Sequence, residues 1–140
     1  ARCAEDDLAR LVARVTDRDG PVYQDDEVEI LLDSQFDQKG MFQFGVNPAG
    51  VIFDVKCASR AARDLTWNGD ARFKTGRETA AWTLEAAFPW QTLEVPAPAA
   101  GTTLGILLAR HRPRAGHLYQ WPPTGGDNHR PDLFAILELR

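Results

Sequence analysis

The sequence is poor in cysteine, methionine and histidine, has no long apolar run and carries no excess of positive charge. Cys3 and Cys57 are its only cysteines. They are too far apart for a zinc knuckle, and no further thiol exists to complete one. They leave open one disulfide or two buried thiols, because sequence alone does not give the Cα separation. No stretch approaches the roughly 20 apolar residues that cross a bilayer as a helix. Acidic residues outnumber basic ones, 20 to 16, for a net charge of -4. That balance argues against nucleic acid, whose phosphates require a basic face. His111, His117 and His129 all fall late in the chain and form no Ser-His-Asp arrangement. There is no Gly-rich phosphate loop, no repeat and no low-complexity tract, and no signal peptide is visible in this stretch. The chain does not open on Met and enters a strand-like pattern within ten residues, so a piece of a longer polypeptide is expected.

What is present is ordinary in composition and specific in pattern. A chain of 140 residues, 44% hydrophobic and 26% charged, suits one globular domain with a real core. Apolar residues recur with period two, the signature of strands. Leu11, Ala13 and Val15 alternate with Arg10, Val12 and Arg14, so a strand is expected over Leu8 to Thr16. Val28, Ile30 and Leu32 form a second row, and Phe42, Phe44 and Val46 a third. The stretch "NPAG" at Asn47 to Gly50 has tight-turn chemistry, so Val51 to Val55 should pair back as a hairpin. Phe73 sits in a short strand. Trp82, Leu84, Ala86 and Phe88 form another row, closed by Pro89, which cannot donate to a ladder. Thr103 to Arg110 and Phe134 to Leu139 complete about eight strands, with no long amphipathic helix. That pattern reads as an antiparallel sandwich or barrel.

One stretch, "VYQDDEVEILLD" at Val22 to Asp33, needs a reason. Acids are tolerated before a strand, so Asp25 and Asp26 are expected to bind a cation or face water. Glu29 lies in mid-strand, on the face of Glu27 and Leu31 and opposite the Val28, Ile30, Leu32 row. An acid there needs either a ligand or an Arg across the sheet. Trp82 belongs to the core row. Trp67 and Trp90 read as sheet-edge packing, and Glu85 as a partner for Arg110.

The ordered set "DDEVEILLD", "FQFGVNPAGVIFD", "WTLEAAFPW", a Gly-led strand ending in Arg, and "W…P…H…P…F" resembles the family 9 carbohydrate-binding modules. The resemblance runs from about Leu8 to the C-terminus. It implies an all-β antiparallel sandwich with jelly-roll character, lacking an N-terminal strand that such modules carry. It also implies non-catalytic binding of a poly- or oligosaccharide, outside the cell or at its surface, as one domain of a longer secreted polypeptide. By the same resemblance an aromatic before the "D-x-V-E" strand stacks on a sugar ring and the Glu reaches a hydroxyl. Those positions are Tyr23 and Glu29. Asn128 and His129 precede the closing strand where a second aromatic is expected, Gly45 stands where an Arg is expected, and Ala109 where an amide is expected. Trp121 and Arg110 are the remaining ligand-binding candidates.

Three other chemistries stay open. Asp17, Asp19, Asp25 and Asp26 are hard oxygen donors suited to a structural calcium ion, which such modules often hold, although they lack EF-hand spacing. Met41 and His117 would serve as axial haem ligands if the fold joined them. Lost site residues favour an interaction or spacer module that holds another domain of the same polypeptide. Glu29 and Glu85 as a glycosidase pair would need to face one another across a sugar.

Overall fold

The computed structural model describes residues 1–140. Its strands are β1 (Arg2–Ala4), β2 (Glu27–Asp33), β3 (Met41–Val46), β4 (Ile52–Cys57), β5 (Arg63–Asp64), β6 (Arg72–Glu78), β7 (Ala81–Ala87), β8 (Thr103–Arg112), β9 (His117–Trp121) and β10 (Ala135–Glu138). The only helical pieces are short 3-10 turns. The smaller sheet has three strands in the order β1-β7-β6. The larger runs β10-β8-β2-β3-β4-β5, with β9 also paired to β8. All pairs are antiparallel. The long β8 shares one edge between two partners, β10 along Thr103–Ile106 and β9 along Leu108–Arg112. Its other edge takes β2. The chain is therefore the expected β-sandwich.

Alternation along each strand builds two apolar layers. Between the sheets, Val28, Val46, Trp82, Leu84 and Cys3 form one cluster, and Leu32, Phe42, Phe44 and Leu93 another. Phe44 is fully buried, with ring centroids 4.9 Å from Phe88 and 5.8 Å from both Trp67 and Phe73. On the outer face of the larger sheet, Leu31, Met41, Val55, Cys57, Leu107 and Ala109 form a third cluster against Phe53 and Phe134. Fully burying each such side chain contributes about 1.5–3 kcal/mol. Cys3 and Cys57 are buried free thiols in different layers, and desolvation raises the pKa of both. The β3–β4 turn is built as expected. Asn47 Oδ1 accepts from the Ala49 and Val51 amides, and Gly50 supplies the left-handed φ of 82°.

Two expectations need correction. Leu8 to Thr16 is not a strand: a 3-10 turn covers Leu8–Arg10 and the rest joins no ladder. The count of about eight strands missed β1, β5 and β9.

The smaller sheet is narrower than the larger, so part of β8 and β10 has no strand opposite. The result is an apolar cleft of about 690 Å³ lined by Leu84, Ile106, Leu108, Tyr119, Trp121 and Leu137, among others. It opens between the sheets, on the opposite side of the larger sheet from the polar groups described next.

Candidate ligand-binding face

The acids that precede β2 are structural. Asp25 is 1% and Asp26 4% exposed. Asp25 Oδ2 accepts from the Arg14 amide, the Val15 amide and Asn47 Nδ2, each at 2.9 Å. Asp26 Oδ2 accepts from the Val12 amide at 2.8 Å. These two carboxylates take up the N–H groups that a strand partner would have taken, which is why residues 11–16 lie extended without a ladder. They do not face water. Burial raises the Asp26 pKa despite the bond from Val12. Asp17 is exposed, and Asp19 lies 3.8 Å from Arg18. No three His, Cys, Asp or Glu side chains converge closely enough to hold a metal ion.

Glu29 has no Arg. Its Oε2 accepts from Asn128 Nδ2 at 2.8 Å and from Gln43 Nε2 at 3.1 Å. With its amide nitrogen turned to Glu29, Gln43 presents Oε1 to His129 Nε2 at 2.8 Å, so that imidazole nitrogen carries the proton. Burial, and next the charge of Arg63, lower the His129 pKa and favour the neutral ring. Gln120 Nε2 donates to Asn128 Oδ1 and, at 2.7 Å, to Thr124 Oγ1, while its Oε1 accepts from the Gly126 amide at 2.9 Å. The loop after β9 thus crosses the outer face of the larger sheet and is tied down there. Its far side reaches Arg60 through Asp127. The outcome is a row of planar amide, imidazole and carboxylate groups held by one another, with a single carboxylate at its centre.

Glu27 extends this row. It is 2% exposed and makes no ion pair. Gly45 is the register partner of Glu29, and a Cβ there would lie 2.8 Å from Glu27 Oε2. The Glu27 carboxyl therefore fills the space a side chain at Gly45 would need. Burial, then the neighbouring Glu29, push its pKa up to about 9.

Residues 5–140 match the carbohydrate family 9 binding domain-like family. The chain belongs to that family. No curated protein matches it. Among solved structures, a candidate carbohydrate-binding protein from Bacteroides uniformis is similar at 18% identity and a TM-score of 0.72, over 93% of this chain and 68% of that one. A family 9 carbohydrate-binding module from Caldicellulosiruptor kristjanssonii, solved with glucose, is similar at 20% identity and a TM-score of 0.68, over 94% of this chain and 65% of that one. A family 9 carbohydrate-binding module from the same organism, solved with cellotriose, matches at 21% identity and a TM-score of 0.61, over 90% of this chain and 63% of that one. The family 9 chain thus spans about two thirds of the length of these structures, and the likeness to them is one of fold.

The remaining site expectations for this family 9 chain divide. Glu29, Asn128 and His129 come together. Tyr23 stands on the 3-10 turn Val22–Gln24 at the head of β2 with its side chain exposed, and its carbonyl accepts from His111 Nδ1 at 2.9 Å. Arg110 and Trp121 are not part of this row. Both point to the cleft side. Arg110 donates to the Ala4 carbonyl and pairs with Glu5, which also takes Arg112. The expected Glu85–Arg110 pair is therefore absent, and Glu85 lies exposed on β7 of the smaller sheet. Met41 is buried beside Cys57, whereas His117 pairs with Arg112 at the opposite end of the larger sheet, so they cannot share a haem iron. Trp82 is fully buried, as its row required. Sequence reasoning missed Gln43, Gln120, Thr124 and the role of Glu27. Strand parity was the available signal for Gln43, which shares its face with Gly45.

Proposed function

We propose that the domain is a non-catalytic carbohydrate-binding module and that the Glu29 row is its ligand face. The observation that carries this reading is one carboxylate, Glu29, that has no basic partner and accepts from Gln43 and Asn128, which are themselves held by His129 and Gln120. Sugars surrender hydration for little net gain per hydrogen bond, so their sites need polar groups fixed in advance. Tyr23, 60% exposed, offers a face for ring stacking worth about 1 kcal/mol, by analogy with aromatic pairs. The relatives solved with glucose and cellotriose support the ligand class. A glycosidase needs two carboxyl groups about 5 Å or more apart across the scissile bond. Glu27 instead lies against Glu29, and Glu85 is on the other sheet. On this reading the domain works outside the cell or at its surface, joined to other domains, and holds them near a glycan.

Calorimetric titration with glucose, cellotriose and a panel of other oligosaccharides tests the proposal. With one aromatic platform, dissociation constants on the order of millimolar to tens of micromolar are expected, with loss of binding in Glu29→Ala. Absence of binding by every sugar at millimolar concentration refutes it. A second reading, an interaction module for another polypeptide, is favoured by the apolar cleft between the sheets. That outcome is the one to pursue if no sugar binds.

A further inference from the structure

Glu27 is a buried carboxyl with no evident structural purpose. It shares a strand face with Glu29, two residues away. From its own strand it meets Glu29 and from the turn before that strand Asp25, both acidic. From β3 it meets Gly45, which brings no charge. From β8 its register partner is His111, which is engaged with the Tyr23 carbonyl. Arg110 and Arg112 turn to the opposite face, where Glu5 holds them. Glu27 Oε1 is buried with no donor against it.

An ionised carboxylate in that position would be desolvated, unpaired and beside another carboxylate, the combination that favours keeping a proton. A protonated carboxyl is a donor, and Glu29 is its neighbour on the same face: a Cβ at Gly45 would lie 2.8 Å from Glu27 Oε2 and 3.9 Å from Glu29 Cγ. We infer that Glu27, as a neutral carboxylic acid, is a positioning residue for ligand recognition: it donates its proton to the Glu29 carboxylate and fixes that acceptor for a sugar hydroxyl. The raised pKa of Glu27 agrees with this geometry. Glu29 is then held by Gln43, Asn128 and Glu27 together, and its remaining lone pairs point where that frame directs them. Gly45 is the matching half of the device, because any side chain there would displace the acid. The inference rests on the sugar-binding reading.

The test uses the full chain with ¹³C-labelled glutamate carboxyls and cellotriose as the probe. In the carboxyl titration, Glu27 should change protonation near pH 9, and the Glu29 signal should move in the same step. Glu27→Gln keeps a neutral donor and should remove that step while preserving cellotriose affinity. Glu27→Leu, if folded, should weaken cellotriose binding about tenfold or more, the loss expected for a hydrogen bond to a charged group. Wild-type affinity should fall between pH 8 and pH 10, and that of Glu27→Gln should stay flat. Glu27 titrating in the ordinary carboxylate range, or a Glu29 signal blind to it, overturns the inference even if cellotriose binds. Failure of cellotriose to bind with the shared titration step intact refutes the sugar reading, and with it the role of Glu27 there, but not the proton.

Discussion

Replacing Asp25 by alanine should unfold much of what the N-terminal third contributes. The carboxylate is 1% exposed and receives the Arg14 amide, the Val15 amide and Asn47 Nδ2. Each hydrogen bond to a charged acceptor contributes about 1.5–3 kcal/mol, and each donor left dry costs about 1–3 kcal/mol. The Arg14 side of the segment borders solvent, so part of the loss is recovered when water reaches those amides. Removing a buried charge also returns some desolvation cost. The expected net destabilisation is about 3–4 kcal/mol. Asp25→Asn keeps one acceptor oxygen for three donors and should lose about half as much. Asp17→Ala, at an exposed position without a side-chain bond, should fall within about 0.5 kcal/mol of wild type. Equilibrium urea unfolding, followed by tryptophan fluorescence, to which buried Trp82 contributes, gives all three values on one scale. If Asp25→Ala loses no more than Asp17→Ala, the claim that these acids stand in for a strand partner is wrong.

Phe44→Ala should cost about 3–5 kcal/mol, because it empties the centre of an aromatic cluster that cannot easily collapse, and thermal unfolding should register it as a drop on the order of 10 °C. Gly69→Ala should cost about 1–3 kcal/mol by overpacking, since its new Cβ would lie 2.6 Å from Trp67 and 3.1 Å from Phe44; an unchanged melting temperature would contradict the packing described. Glu27→Gln should alter the pH dependence of stability. The folded pKa of Glu27 stands near 9, above the unfolded value of 4.5, so between those limits the folded state binds the extra proton. The Glu27 contribution to wild-type stability should therefore be fullest below pH 4.5 and decline as pH rises towards 9, by at most about 1.4 kcal/mol per pH unit. The Gln variant lacks that slope, so its stability relative to wild type should climb between pH 5 and pH 8 in urea unfolding. Asp26, Asp33 and Asp54, also raised chiefly by burial, add the same sign of slope to both proteins and cancel in the difference.

Period-two alternation made β2, β3, β4, β7, β8 and β10 legible, because in each a buried face forces the pattern. The same signal misled over Leu11 to Val15, where the chain is extended but its amides go to Asp25 and Asp26. That competition is non-local and leaves no trace in the segment itself. Strand β9 was missed because its alternate residues face solvent or the cleft and only its pairing to β8 defines it. Glu29 was legible as an acid on a strand interior. Its partners were not, since amides at Gln43 and Gln120 carry no periodic signature and become neighbours only through register. Arg110 was legible and misassigned: it shares parity with Leu104, Ile106 and Leu108, which sends it to the cleft side. Register with Leu108 sends Trp121 there as well. The fit of Glu27 over Gly45 needed both strand parity and the β2–β3 register.

The most direct test of the account is a ¹⁵N–¹H spectrum of the labelled protein titrated with cellotriose, read at side-chain amides and indoles. The side-chain amides of Gln43 and Asn128 should shift together with the backbone around Glu29, while the Trp90 and Trp121 indoles at the cleft stay put. Shifts confined to the cleft indoles, or none at millimolar sugar, would contradict the assignment of the Glu29 row as the ligand face.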